Sequence, residues 1–142
     1  MQTIKAFLEK TPRDLCSVRP DQTVWEALQA LAGNNIGALL VMEGTQMVGI
    51  FSERDYARRV ELQGRLTRDT QVRDVMTAEF ITISPDQPMD ACMQIMTDNR
   101  IRHLPVMKDG QLLGMVSIGD VLLVMISEQK QLIEQLQSYI SG

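Results

Sequence analysis

Apolar residues recur along this chain in two rhythms, and both rhythms come round twice. Val24, Ala27, Leu28 and Leu31 lie at three- and four-residue spacing, which predicts a helix over 23–34. Met89, Cys92, Met93 and Met96 predict a second over 88–99. Thr23 and Glu26 have capping-box spacing, and Pro88 stands near the first position of the second helix. A short apolar run precedes each helix, at 15–18 and 80–83. Two strand patterns follow each, at 38–42 and 47–51, then at 103–107 and 111–116. Glu43-Gly44-Thr45 and Lys108-Asp109-Gly110 carry hairpin chemistry between them. A helical pattern closes each series, over 53–62 and from Ile118 onward. The predicted fold class is α+β, in the order β-α-β-β-α, twice.

The two series are copies. Sliding the sequence by 65 residues lays 20–55 on 85–120 without a gap. Pro20-Asp21-Gln22 then meets Pro85-Asp86-Gln87, Asn34 meets Asn99, Val41-Met42 meets Val106-Met107, and Gly49, Ser52 and Asp55 meet Gly114, Ser117 and Asp120. Segments 3–8 and 70–76 match loosely, in a shifted register. Residues 1–66 and 67–126 are therefore expected as two repeats, with polar residues 65–70 joining them. Residues 127–142 form a helical extension, in which Leu122, Met125, Ile126, Gln129, Leu132, Ile133, Leu136 and Ile140 make a stripe running past the repeat. Such a stripe suits a helix from a second copy, or folding back over its own domain.

Composition narrows the function. Hydrophobic content of 44% with 23% charged is globular, and a net charge of −4 argues against a sequence-independent nucleic-acid binder, which needs a basic stripe. No run reaches the ~18 apolar residues of a membrane span. The start, Met1-Gln2-Thr3-Ile4-Lys5, has no apolar signal core, so a cytoplasmic chain is expected. Cys16 and Cys92 are too far apart in sequence for a redox or zinc signature and are expected as buried thiols rather than a disulfide. His103 is the sole histidine, so no histidine-based metal cluster and no serine-histidine-acid arrangement is expected. No phosphate-loop fingerprint is present and no carboxylates are paired for acid–base work, so no catalytic residue is assigned and enzyme activity is not expected.

The closing motifs carry the chemistry. Gly49-Ile50-Phe51-Ser52-Glu53-Arg54-Asp55 and Gly114-Met115-Val116-Ser117-Ile118-Gly119-Asp120 each end a strand in a hydroxyl and set a carboxylate in the following helical turn. That spacing serves a helix cap as well as a ligand. The tandem repeat with these motifs, and segments such as Ile36-Gly37-Ala38-Leu39-Leu40-Val41 and Arg100-Ile101-Arg102-His103-Leu104-Pro105-Val106, resembles the cystathionine-β-synthase (CBS) domain pair over residues 3–125. These segments resemble those of the stand-alone, two-repeat CBS proteins of bacteria and plant organelles.

The resemblance implies repeats packed with pseudo-two-fold symmetry, association as a homodimer, and clefts binding AMP, ATP or NAD as ligands, with no cofactor required. It implies that Asp120 accepts from the two ribose hydroxyls, as an acceptor-only carboxylate can. Ser117 would reach ribose or phosphate, Met115 and Cys16 would flank the adenine, Thr11 would meet its polar edge, and Arg102 and His103 would meet phosphate. In the first motif Ser52 and Asp55 take the ribose role, Ile50 and Ile81 flank a base with Thr77 close by, and Arg54 sits beside the phosphate. Gly37 and Ala38 stand where Arg102 and His103 would be matched, so the clefts are expected to differ, their basic groups coming from opposite repeats toward the phosphates of one ligand. Asp55 and Arg59 are also spaced for a plain helix-surface ion pair. Two functions stay open: a regulatory nucleotide sensor acting on a protein partner, or a structural dimerisation module whose Ser-x-x-Asp motifs are only caps.

Overall fold

The computed structural model describes residues 1–141. The chain forms two compact units, one from 14–81 and the other from 1–13 with 82–142.

In the 14–81 unit, β1 (Ser17–Val18) pairs parallel with β2 (Ala38–Glu43), which pairs antiparallel with β3 (Gln46–Ser52). Helix α2 (Val24–Asn34) covers one face, capped by Thr23 Oγ1, which accepts the Glu26 N–H at 3.2 Å. Val18, Val24, Ala27, Leu31, Leu39, Val41 and Phe51 meet in the core. After β3 comes α3 (Glu53–Asp55), which widens at once into a π-helical segment, Tyr56–Glu61. The sequence pattern predicts one α-helix here. The widened turn instead sinks Val60 into the core while Arg59 reaches the Met76 carbonyl at 2.8 Å.

The other unit repeats the plan. Helix α4 (Met89–Asn99) packs on β4 (His103–Lys108) and β5 (Gln111–Ser117), an antiparallel pair. Both hairpins slip register at the same place, between Val41 and Met42 and between Val106 and Met107. Both helices end in a left-handed residue, Asn35 and Arg100. The strand expected over 80–83 is reduced to one residue: Ile83 alone bridges Val106, its N–H donating to Pro105 O and its carbonyl accepting the Met107 N–H, both at 3.0 Å. Cys92 is buried as expected, and burial pushes its thiol up to about 11. Cys16 is half-buried. An aromatic disulfide reagent at about pH 8 is therefore expected to titrate Cys16 in the native chain and Cys92 only after unfolding; equal rates would contradict the packing around α4.

Two segments that match only loosely in sequence dock alike. The N–H groups of Ile4 and Lys5 donate to Gln87 O and Pro85 O, and Met89 N–H donates to Gln2 O. In the same pattern Val72 and Arg73 donate to Gln22 O and Pro20 O, and Val24 N–H donates to Thr70 O. The sequence pattern missed one consequence. Residues after Thr3 wind into a full helix, α1 (Ile4–Lys10), burying Ile4 and Phe7, while their counterparts make only one 3-10 turn at Val72–Asp74. Last comes α5 (Ile118–Ser141), 24 residues long, burying Val121 and Val124.

The paired motif glycines, Gly49 and Gly114, are points of close approach. A Cβ on Gly49 would lie 2.6 Å from Met76 Sδ and 3.0 Å from Thr77 O; on Gly114 it would meet Leu8 methyls at 3.0 and 3.1 Å. Gly49→Ala is expected to lower stability by about 1–3 kcal/mol, because a backbone carbonyl must give way, and Gly114→Ala by less, since a leucine can re-rotate. Chemical denaturation of the two variants checks the order.

Candidate nucleotide-binding site

The Ser-x-x-Asp spacing folds into a helix cap in both units. The Ser117 N–H donates to Asp120 Oδ2 at 2.8 Å, and the Asp120 N–H donates to Ser117 Oγ at 3.2 Å. Ser52 and Asp55 repeat this at 2.9 and 3.2 Å, and Ser52 Oγ–H adds a bond to Asp55 Oδ2 at 3.0 Å. The two carboxylates then part company.

Asp55 is 8% exposed and spent within its own unit. Its Oδ1 accepts the Thr77 hydroxyl at 3.0 Å and lies 3.8 Å from Arg59 Nε, the i,i+4 pair that the spacing allows. Thr77 is brought there by mutual backbone bonds with Ile50, at 2.8 and 2.9 Å. Ile50, Ser52, Asp55 and Thr77 thus form one cluster. Arg54 is exposed in the first turn of α3, and Ile81 is exposed at the end of the unit.

Asp120 holds an ion pair that the sequence pattern did not reveal. Arg13 grips it as a fork, Nη1 donating to Oδ1 at 3.1 Å and Nη2 to Oδ2 at 2.7 Å. The guanidinium also lies over the Phe7 ring, 5.4 Å from its centre. The Arg13 side chain is 40% exposed and that of Asp120 13%. Burial alone pushes the Asp120 carboxyl up, but the Arg13 fork and the Ser117 N–H outweigh it and hold the group below its ordinary value. The folded pKa being depressed, this contribution to stability is present above the ordinary carboxylate range and is lost as pH falls through the folded value.

The other expected residues lie around this carboxylate in varied ways. On β5, Met115 and Ser117 share a face, and His103 stands opposite Ser117 on β4; all three are half-buried. Leu104, Val106 and Val116 point the other way, into the core. Arg102 is exposed, its carbonyl accepting the Ile118 N–H at 2.9 Å, which ties the start of α5 to the start of β4. Thr11 is exposed at the end of α1, two residues before Arg13. Cys16 belongs to the 14–81 unit, its carbonyl accepting the Leu40 N–H at 3.2 Å. Among the described residues no cluster of metal-ligating side chains occurs, and no helix is long and apolar enough to cross a membrane. An open depression of about 620 Å³ in the 14–81 unit, lined by Leu28, Leu31, Ile36, Gly37, Glu53 and Tyr56, includes neither motif carboxylate.

A repeated hairpin closed by a helix that a serine and an aspartate cap defines a class of small tandem modules. The CBS domain model matches residues 11–62 and 72–127, and the chain belongs to the CBS domain family. A mitochondrial CBS domain-containing protein of Arabidopsis thaliana is 44% identical over 127 residues, covering 86% of this chain; the chain spans 62% of that protein's length. The solved structure of a putative signal-transduction protein with CBS domains from Burkholderia ambifaria is 41% identical, with a TM-score of 0.85, over 90% of this chain and 96% of that one. A CBS domain pair solved with 5-methylthioadenosine and S-adenosyl-L-methionine is 21% identical, with a TM-score of 0.77, over 90% of this chain and 98% of that one; it shares the fold.

Proposed function

We propose that this chain is a regulatory, non-catalytic module that binds an adenine nucleotide of the AMP, ATP or NAD kind, with Asp120 as the ribose acceptor. The observation that carries the reading is the Arg13–Asp120 fork. A carboxylate that accepts two parallel N–H bonds offers the same two acceptor positions to a vicinal diol. Ligand and Arg13 therefore compete for one surface, and the displaced guanidinium is left beside the ribose as a cation for phosphate. Ser117 and the start of α5 supply donors nearby, Met115 an apolar wall, and Arg102 and His103 further positive or donor groups. Thr11, from the same unit, adds an adenine contact in this reading. That a fold relative holds two adenosine compounds supports the ligand class.

The Asp55 cluster favours the second reading for its own motif. Its carboxylate already serves the cap, Thr77 and Arg59, so Ser52 and Asp55 act first as structure. Binding there, with Arg54 at the phosphate and Ile50, Thr77 and Ile81 about the base, would be the weaker of the two. Residues 1–66 and 67–126 are taken as the functional repeats, and the chain as a cytoplasmic homodimer joined through α5 that passes the ligand state to a protein partner. A thermal-shift screen with AMP, ADP, ATP, NAD and S-adenosylmethionine tests the reading. A rise with at least one at millimolar concentration is expected; no shift with any leaves the caps as structure alone.

A further inference from the structure

Helix α5 has two apolar faces. One buries Val121 and Val124 in its own unit, and on it the Glu128 carboxylate accepts the Gln2 N–H at 3.2 Å. The other runs Leu122, Ile126, Gln129, Ile133, Leu136, Ile140 and is open to solvent: Ile126 is 50% exposed, Ile133 53% and Ile140 83%. The steps along it alternate four and three residues, the 3.5-residue repeat that keeps a seam against a partner helix. Isoleucine fills every a position (Ile126, Ile133, Ile140). Leucine fills two d positions (Leu122, Leu136), and Gln129 takes the one between. All of residues 129–141 are exposed. That end of the helix gains little from packing within the chain, and its apolar seam is the surface that a partner helix would cover.

We propose that this seam pairs with α5 of a second copy as a parallel, in-register, two-stranded coiled coil. This rests on the homodimer reading and gives it a direction and a register. β-Branched residues at a with leucine at d favour two parallel strands. Gln129 sets the direction. In the parallel pair it meets Gln129 of the partner subunit, and two side-chain amides can bond to each other. In the antiparallel pair on the same seam it would face Ile133 of the partner subunit, twice, stranding both amides against apolar groups. The flanking positions raise no repulsion: Lys130 is their one charge, beside Leu132, Gln137 and Tyr139.

The test is disulfide trapping of the full chain, with Cys16→Ser to remove the reactive native thiol. Leu136→Cys is expected to give a covalent dimer on mild oxidation. In the antiparallel pair, residue 136 would lie opposite 126, so the two thiols sit ~15 Å apart and do not join. Light scattering should give twice the 16.0 kDa chain mass, and Ile133→Asp should weaken the dimer roughly 100-fold and abolish the Leu136→Cys cross-link. The position is exposed, so the urea midpoint of the variant at low concentration reports that its unit still folds. A monomeric wild type would overturn both the homodimer and the coiled coil. A wild-type dimer that gives no Leu136→Cys cross-link, or that Ile133→Asp leaves intact, overturns the coiled coil alone.

Discussion

Asp120→Asn is expected to weaken AMP binding by about 100-fold while leaving the chain folded. The substituted amide keeps one acceptor oxygen, enough for the Ser117 N–H that caps α5. It replaces the other acceptor by a donor, which faces the ribose hydroxyls where an acceptor is needed. Two charge-assisted hydrogen bonds to a ligand are worth about 1.5–3 kcal/mol each, so losing most of both accounts for the factor. The pH dependence follows from the same group. Because its carboxyl lies below the ordinary value, Asp120 remains an acceptor throughout the neutral and mildly acidic range. Read with uncharged adenosine, which carries no phosphate to titrate near pH 6, affinity is then expected to hold level from about pH 7 to 5 and to fall once the carboxyl itself protonates. Calorimetry across that range checks both the variant and the profile. Wild-type affinity in Asp120→Asn would remove Asp120 from the site.

Arg13→Ala separates the two roles given to the guanidinium. With the fork gone, an uncharged adenosine no longer competes for the carboxylate, and its binding is expected to tighten by about fivefold, the scale of a partly exposed ion pair. AMP gains the same relief but loses the cation that its phosphate would meet. The AMP-to-adenosine affinity ratio should therefore drop several-fold in the variant. Titrating both ligands against both chains gives that ratio. If it is unchanged, Arg13 is only a surface partner of Asp120. The same substitution should remove the acid-side stability attached to Asp120, since its carboxyl would return toward the ordinary range.

The duplication was open to reading because both copies solve one packing problem with the same residues. Pro85-Asp86-Gln87 stands where Pro20-Asp21-Gln22 stands, and the paired glycines, bulges and left-handed helix ends fall at equal spacing. Helix α1 hid because its counterpart is a single 3-10 turn, so the repeat offered no second copy to confirm it. Its local signal was present all the same: Thr3 as cap, with Ile4, Phe7 and Leu8 on one side. The π-helical widening after Asp55 leaves no mark in the apolar spacing, for it follows from where Val60 and Arg59 find partners.

At the site, the hydroxyl, carboxylate and strand-face residues were legible because one hairpin and one helix start fix them together. Arg13 was not. It lies 107 positions from Asp120, outside the aligned repeat, and no motif surrounds it. The other unit meets its carboxylate from different places: Thr77 reaches Asp55 from the bridge beside β3, and Arg59 from the π turn. Two motifs alike in sequence thereby acquire different neighbours, one closed and one open to exchange.

AMP is the fragment that ATP and NAD share, and its ribose hydroxyls are the groups assigned to Asp120. The most direct test is a calorimetric competition on the full chain, in which 2′,3′-dideoxy-AMP is asked to displace bound AMP. Weak or absent displacement, with AMP itself binding at one site per chain, is the predicted result. Displacement by the dideoxy form with undiminished affinity would show that the ribose hydroxyls do not meet a carboxylate, and the assignment of Asp120 would fall.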